Sequence, residues 1–359
     1  MRLIELRLEN LRNISSLALQ LDPGINLFIG PNGAGKTSIL EGAYLLSHAQ
    51  SFRTGQINAL IRRGAEQFNL FARVERQAGP VQIGLSRALS AWVAKVNNDE
   101  AVSLGGMLKE YAQVCFEPGT HALISGGSEE RRRFLDWGVF HVEPEFLLCA
   151  RAFRRALRQR NALLKQGGNN LELDWWDAEF ARTGELLSAM RHRYFRHFSS
   201  VLIDAAMLYL PELGAANVRY SRGWPEVGSL ELALRETRAS DQIRGFTGRG
   251  PHRADWGIQF DSAPLREHLS RGQEKLCALA CVLAQARCFA NSRGEWPVIA
   301  LDDLSSELDA AHQRIVVDTL SSCGAQVLIS AIEVPDCLKA LDVSTRLFHV
   351  EHGGVRTLL

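Results

Sequence analysis

The chain has 359 residues, 46% of them apolar, and its 41 Lys and Arg nearly cancel 40 Asp and Glu, for a formal charge of +1. That length allows two domains or one large one carrying an insertion, and the apolar share is ample for a core. Near-neutrality excludes a uniformly basic coat, so any nucleic-acid contact has to come from local clusters.

Ile4, Leu6 and Leu8 alternate with Glu5, Arg7 and Glu9, the period of a half-buried strand. The same opening stretch carries charges where a signal peptide places its apolar run, and the chain has no membrane-length apolar segment, so a cytoplasmic protein is expected. After the turn at Asp22-Pro23-Gly24, residues 25–29 (INLFI) read as a buried strand running directly into Gly30. Apolar positions from Thr37 to about Ala49 fit a helix, and Phe68 to Val74 and Val81 to Leu85 read as strands of a partly antiparallel region. Between 116 and 244 the pattern becomes helical and arginine-rich, with one short strand around Val218 to Tyr220 and a loop at Gly167-Gly168-Asn169-Asn170. Strand character returns at Ile258 to Phe260, a helix follows from Gly272 to about Ala290, and Val298 to Leu301, Val327 to Ile329 and Leu347 to Val350 read as sheet strands. The expectation is an α/β core made of 1–115 and 245–359, with a helical lobe at 116–244 inserted into it. No heptad array predicts a coiled coil.

Gly30-Pro31-Asn32-Gly33-Ala34-Gly35-Lys36-Thr37 fits the phosphate-loop pattern in full, after a predicted strand and before a predicted helix. Glycines let successive amides curl around phosphate oxygens, and the helix N-terminus adds partial positive charge at the same place. Lys36 is expected to reach the β- and γ-phosphates, and the Thr37 hydroxyl to ligate Mg2+. The alternative is a glycine-rich turn with a surface lysine.

Val298 to Leu301 is an apolar strand closing on Asp302 and Asp303. Asp302 is the expected Mg2+ ligand, and Asp303 stands where a carboxylate orients or deprotonates an attacking water. The strand end resembles that of ABC-type ATPases, which usually carry a glutamate at this place; the resemblance implies that Asp303, one methylene shorter, sits farther from the water and that turnover is slow. In isolation such a strand could equally end in a solvated acidic turn.

Leu269-Ser270-Arg271-Gly272-Gln273-Glu274-Lys275 opens the helix before that strand and resembles the signature sequence of ABC-type ATPases. Ser270 can cap the helix, leaving the amides of Gly272 and Gln273 to face an anion. A plain N-cap is the simpler alternative. Ser306-Glu307-Leu308-Asp309 is similar to the D-loop of the same superfamily.

The match then narrows. Leu8 to Asn13, Ser51 to Thr54, Glu129 to Asp136, Gly250 to Asp255, Leu269 to Leu276 and Leu301 to Asp309 together resemble the RecF family, over nearly the whole chain. The resemblance implies an ABC-type P-loop ATPase core with an inserted helical lobe and no long coiled coil. It implies Lys36, Asp303 and Ser270 as catalytic groups, with Ser270, Gly272 and Gln273 gripping ATP held by a second copy. It further implies an ATP-dependent homodimer on double-stranded DNA near single-strand gaps, and a weak DNA-dependent ATPase that works with RecR and RecO to load RecA. Two departures stand out. Glu117 occupies the place where a Q-loop glutamine is usual, so no Q-loop ligand is assigned, and Ser330-Ala331 stand where many transporters carry a switch histidine.

Arg151, Arg154, Arg155 and Arg158 fall on one helical stripe, with Phe146, Ala150, Phe153 and Leu157 on a neighbouring one. They are the candidate DNA contacts, to phosphates rather than bases. Arg131 to Arg133 and Arg191, Arg193 and Arg196 are further basic groups, which the packing of the lobe could use instead; His252 and Arg253 are open to several roles. Seven cysteines form no C-x-x-C pair, so no zinc site is expected. Two other classes share a phosphate loop. A transporter's nucleotide-binding subunit should carry the switch histidine and Q-loop glutamine, and a small-molecule phosphotransferase has no need for the Ser270 motif.

Overall fold

The computed structural model describes residues 1–88, 91–167, 170–339 and 345–358. Gly168 and Asn169 of the expected loop lie outside the described residues. Contacts divide the chain into a unit of Met1–His121 with Arg271–Leu359 and a unit of Ala122–Ser270.

The first pass through the larger unit gives β1 (Arg2–Leu11), β2 (Ile14–Gln20), β3 (Ile25–Ile29), α1 (Lys36–His48), β4 (Gln67–Glu75), β5 (Val81–Ala88), β6 (Trp92–Val96), β7 (Asp99–Glu100), α2 (Leu104–Leu108) and β8 (Gln113–Phe116). The smaller unit holds α3 (Ala122–Ser125), α4 (Ser128–Val142), α5 (Phe146–Gln166), α6 (Asn170–Tyr209), β9 (Ala216–Ser221), α7 (Leu230–Arg244) and β10 (Asp255–Phe260). The chain then completes the larger unit with α8 (Arg271–Arg293), β11 (Val298–Leu301), α9 (Leu304–Glu307), α10 (Ala310–Cys323), β12 (Val327–Ala331), α11 (Asp336–Lys339), β13 (Thr345–Glu351) and β14 (Gly354–Leu358).

Two sheets build the larger unit. One is antiparallel, in the order β2-β1-β4-β5-β6-β7; the other runs β14-β13-β3-β12-β11-β8, and all its pairings but β13–β14 are parallel. Parallel strands are covered on both faces and read as continuous apolar runs, and every residue of β11 and β12 is buried. The antiparallel sheet instead alternates, as β4 does with Phe68, Leu70, Ala72 and Val74 inward. In β1 a bulge between Leu3 and Glu5 resets that alternation, so Leu3 and Leu6 are buried while Ile4 is only half-buried. The β6–β7 turn at Asn97-Asn98 places both residues at positive φ, 50° and 72°, as a tight hairpin requires.

In the smaller unit α6, forty residues and roughly 60 Å long, packs along α4, α5 and α7 rather than projecting as a coiled coil. Its core includes Phe153, Phe180, Phe198 and Trp256. The expected return to the core at 245 is corrected to 271. Residues 255–260 pair antiparallel with β9, from Asp255↔Ser221 to Phe260↔Ala216, and so belong to the helical unit. The expected start of the insertion at 116 likewise moves to 122, because Phe116 pairs with Leu301 in the parallel sheet. Among the described residues no helix is long and apolar enough to cross a membrane. All seven cysteines are free, with Cys277 and Cys281 buried one turn apart in α8.

Candidate functional site

Four parallel strands deliver their C-terminal ends side by side: β3 to Gly30, β12 to Ser330-Ala331, β11 to Asp302 and β8 to Glu117. In open α/β sheets this edge is where ligands bind. Residues 30–35 form the loop between β3 and α1, and its backbone explains its glycines. Gly33 and Gly35 stand at φ 78° and 117°, and a Cβ on Gly30 would lie 2.2 Å from the Val350 carbonyl oxygen on β13. Among the described residues no side chain caps the N-terminus of α1, and no acid stands in its first turn, so no carboxylate there offsets the positive charge of the loop amides and helix end.

Lys36 folds back over the loop and donates from Nζ to the carbonyls of Gly30 (2.7 Å) and Pro31 (3.0 Å). Burial lowers its ammonium pKa, and the charges of Asp303 and Asp302 oppose that shift. Thr37 Oγ1 donates to Asp302 Oδ1 at 3.0 Å, and Ser330 Oγ donates to the same oxygen at 2.6 Å. Asp302 is only 4% exposed. Burial pushes its carboxyl above the usual range; the two hydroxyls pull it back, and the neighbouring Asp303 charge adds to the rise. Burial of a charged carboxylate is costly unless its charge is offset.

Asp303 sits in the left-handed region, φ 55° and ψ 44°, a conformation that costs a non-glycine residue about 1–2 kcal/mol. Its amide donates to Ser330 Oγ at 2.9 Å. One hydroxyl therefore sets both acidic residues, accepting from the second while donating to the first. In the sequence Ser330 shows only as the absence of a histidine, because its contact with Asp303 spans 27 residues.

Two segments that carried the family resemblance also gain roles. Asn13 donates from Nδ2 to the carbonyls of Gly33 (3.2 Å) and Ala34 (3.3 Å) and accepts from Ser38, bracing the phosphate loop. Arg12 makes a bidentate pair with Glu41 on α1, both bonds 2.9 Å, and Ser51 donates to the same carboxylate. Glu41 is fully buried, so these partners keep α1 seated behind the loop.

Glu117 is locally engaged: Gly119 donates its amide to Oε2 at 2.6 Å and Thr120 Oγ1 approaches Oε1 at 3.4 Å. Burial raises its pKa, and Asp302 adds to the rise. Ser270, Arg271 and Gly272 are exposed at the start of α8, a 23-residue helix, and Gln273 is half-buried. One turn along, Lys275 pairs with Glu307 at 2.9 Å. Asp309 caps α10 by accepting from the His312 amide at 2.9 Å.

The arginines of the helical unit divide sharply. Arg131 is buried, bidentate to Asp255 (2.7 and 3.0 Å) and bonded to the Gly126 carbonyl. Arg132 holds the Ala254 carbonyl, and Arg133 holds Glu129 and Glu130. Arg191 is bidentate to Asp136, and Arg193 to Glu143. By contrast Arg151, Arg154, Arg155 and Arg158 are all exposed on α5, and none makes a hydrogen bond or ion pair to another described residue. The same helix buries Phe146, Ala150, Phe153, Ala156 and Leu164 on its other side, together with Arg160. His252 is tied to the Thr247 carbonyl at 2.9 Å, and burial lowers its pKa to about 4.

Comparisons with known proteins converge. The family described as the RecF/RecN/SMC N terminal domain matches residues 2–356. A protein of Xanthomonas axonopodis pv. citri (strain 306), named DNA replication and repair protein RecF, is 45% identical over 99% of this chain and 98% of its own length. The solved structure of a recombination mediator protein RecF with ATP, from the RecFOR pathway, superposes with a TM-score of 0.89 at 26% identity, covering 99% of this chain and 97% of that one. A crystallised SMC head bound to the C-terminal winged-helix domain of ScpA shares the fold, with a TM-score of 0.58 at 16% identity over 100% of this chain and 97% of that one. With a phosphate loop, a paired acidic strand end and a helical insertion all in place, the chain belongs to the RecF family of DNA replication and repair proteins.

Proposed function

We propose that the chain is an ATP-driven clamp on duplex DNA that closes as a homodimer beside single-strand gaps, turns ATP over slowly, and acts with RecR and RecO to load RecA. The observation that supports it best is the cluster of Lys36, Thr37, Asp302, Asp303 and Ser330 at one sheet edge, in which the group placed to handle water is the short Asp303.

The donor set suits Mg2+. Thr37 Oγ1 and Asp302 Oδ1 are hard oxygens 3.0 Å apart, and Mg2+ keeps most of its waters and takes one or two protein oxygens beside phosphates. Thr37 and Asp302 would hold the ion, which would supply positive charge against the phosphate oxygens of the nucleotide. The amides of residues 33–37 bind the phosphate chain, and Lys36 exchanges its two loop carbonyls for phosphate oxygens. Ser330 holds both acidic residues in place, and Asp303 orients a water toward the γ-phosphorus. Ser270, Gly272 and Gln273 of a second copy close the other side of the triphosphate, through the exposed N-terminus of α8. Closure therefore follows the γ-phosphate, and a short Asp303 keeps the closed state long-lived. Arg151, Arg154, Arg155 and Arg158 contact backbone phosphates.

Sedimentation with ATP, with ADP and without nucleotide, each with and without gapped duplex, tests this. Dimers are expected with ATP alone, and Ser270→Arg should prevent them while leaving nucleotide binding by the monomer intact. A monomer under every condition overturns the clamp.

A further inference from the structure

Residues 245–254 join α7 to β10, and several bonds hold them against the last two turns of α5. Thr247 donates its amide and hydroxyl to Asn161 Oδ1 at 2.8 and 2.7 Å, and accepts from Arg160 Nη1 at 2.8 Å. Gly248 donates to Asp241 at 3.0 Å. A Cβ on Gly245 would lie 3.5 Å from Lys165 Cγ. Between these anchors Phe246 is left 41% exposed, with the Arg253 guanidinium 5.5 Å from its ring centroid. Arg253 is itself exposed and makes no hydrogen bond or ion pair to another described residue.

The location gives the stack its meaning. At about 100° per residue, Lys165 projects within roughly 20° of Arg158 around α5, so the basic ridge runs on from Arg151 to Lys165 over about 21 Å. That length spans about six nucleotides of one strand. The ridge ends at the Gly245–Phe246 corner, where an exposed aromatic ring replaces bare charge. Aromatic faces beside cations bind unpaired bases, whereas a paired base is already stacked on its neighbours. Trp175 is also exposed, at 60%, but it stands beside Asp174, packs on Trp176 and continues no basic ridge.

We propose that Phe246, backed by Arg253, is a stacking platform for the first unpaired base where a duplex lying along α5 ends. The platform rests on the reading of the α5 ridge as the phosphate-contacting face, and it assigns junction preference to a definite ring. The loop is anchored before DNA arrives, so little ordering is needed at binding.

The test compares a blunt duplex with the same duplex bearing a single-stranded extension, both with ATP, by fluorescence anisotropy. Phe246→Leu keeps the apolar bulk and removes the ring. It should weaken the extended substrate by about 5- to 100-fold and leave blunt duplex unchanged, while Phe246→Trp restores the preference. A 2-aminopurine at the first unpaired position should be quenched by the parent protein and not by Phe246→Leu. Equal losses on both substrates, no loss on either, or a probe that stays bright with the parent protein each overturn the platform. A combined Arg154→Glu, Arg155→Glu and Arg158→Glu variant separates the two ideas. If it weakens both substrates while Phe246→Leu changes nothing, the platform alone fails; if it weakens neither, the ridge fails and takes the platform with it.

Discussion

On α4 the run Arg131-Arg132-Arg133 ends in carboxylates and carbonyls, whereas on α5 Arg151, Arg154, Arg155 and Arg158 end in solvent. The two stretches are alike in composition and close in sequence, yet one fastens β10 and its own helix turn while the other is left free to meet an external anion. Arg160 shows that the division is by helix face and not by helix. It lies on α5 too, but it is fully buried and bonded to Asp177 at 2.6 Å and Asp241 at 2.8 Å. Charge enclosed with its partners serves the fold; charge kept apart from partners serves binding. Asp302 is a third case, buried and hydrogen-bonded by Thr37 and Ser330 but without an ion pair to a described residue, so that it suits a cation from outside the chain.

The sharpest test of that division is Arg160→Ala. It takes from buried Asp241 its ion pair and from Asp177 one of two arginines, the other being Arg238 at 2.6 Å, and should lower stability by about 3–5 kcal/mol, read from the urea midpoint; a loss below about 1 kcal/mol would show the network to be dispensable. Next comes the ridge. Replacing Arg154, Arg155 and Arg158 together with alanine should reduce the log-log salt slope of duplex binding by up to about 2.7, at roughly 0.9 for each phosphate contact, with the unfolding midpoint unmoved. A midpoint that drops while the slope holds would reverse the comparison.

A smaller effect on stability is expected from Asp302→Asn. The carboxyl pKa is raised in the folded state, so the folded chain holds that proton more tightly than the unfolded one. The resulting stability is present at low pH and lost as pH rises through the raised value. The substitution keeps an oxygen to accept from Thr37 and Ser330, so the nucleotide-free protein should gain about 0.5–2 kcal/mol near neutral pH and lose that pH slope. Mg2+-dependent ATP turnover should disappear. Denaturant melts across pH without Mg2+ check the first part, and an unchanged slope would place the strain elsewhere. Least affected should be Arg133→Ala. Its two ion pairs are exposed, at 59% for the arginine side chain, and exposed pairs contribute about 0–1 kcal/mol; thermal melts and duplex affinity should both stay near the parent values.

Much of the candidate site was legible because its parts are contiguous. The phosphate loop, Asp302-Asp303 and the Ser270 motif each occupy one short segment whose flanking strand or helix could be read from apolar period. Asn13, Ser330 and the Arg12–Glu41 pair were not, since their meaning lies in partners 20 to 29 residues away. The boundary at 245 was misplaced for a related reason. The run Ile258 to Phe260 reads as a strand in either unit, and only its register with Ala216–Ser221 says which. Asn97-Asn98 is a local hairpin signal, whereas the bulge that turns Ile4 away from the core leaves no local mark.

By itself the sequence determined the order of strands and helices, the loop that cradles phosphate and which α5 positions share a stripe, because each depends on neighbours within a turn or a strand. Tertiary structure alone decided which arginines are free, which hydroxyl sets the paired aspartates and where one unit yields to the other. Those outcomes depend on desolvation and on hydrogen-bond partners from distant segments, and a residue's charge says nothing about what will stand opposite it.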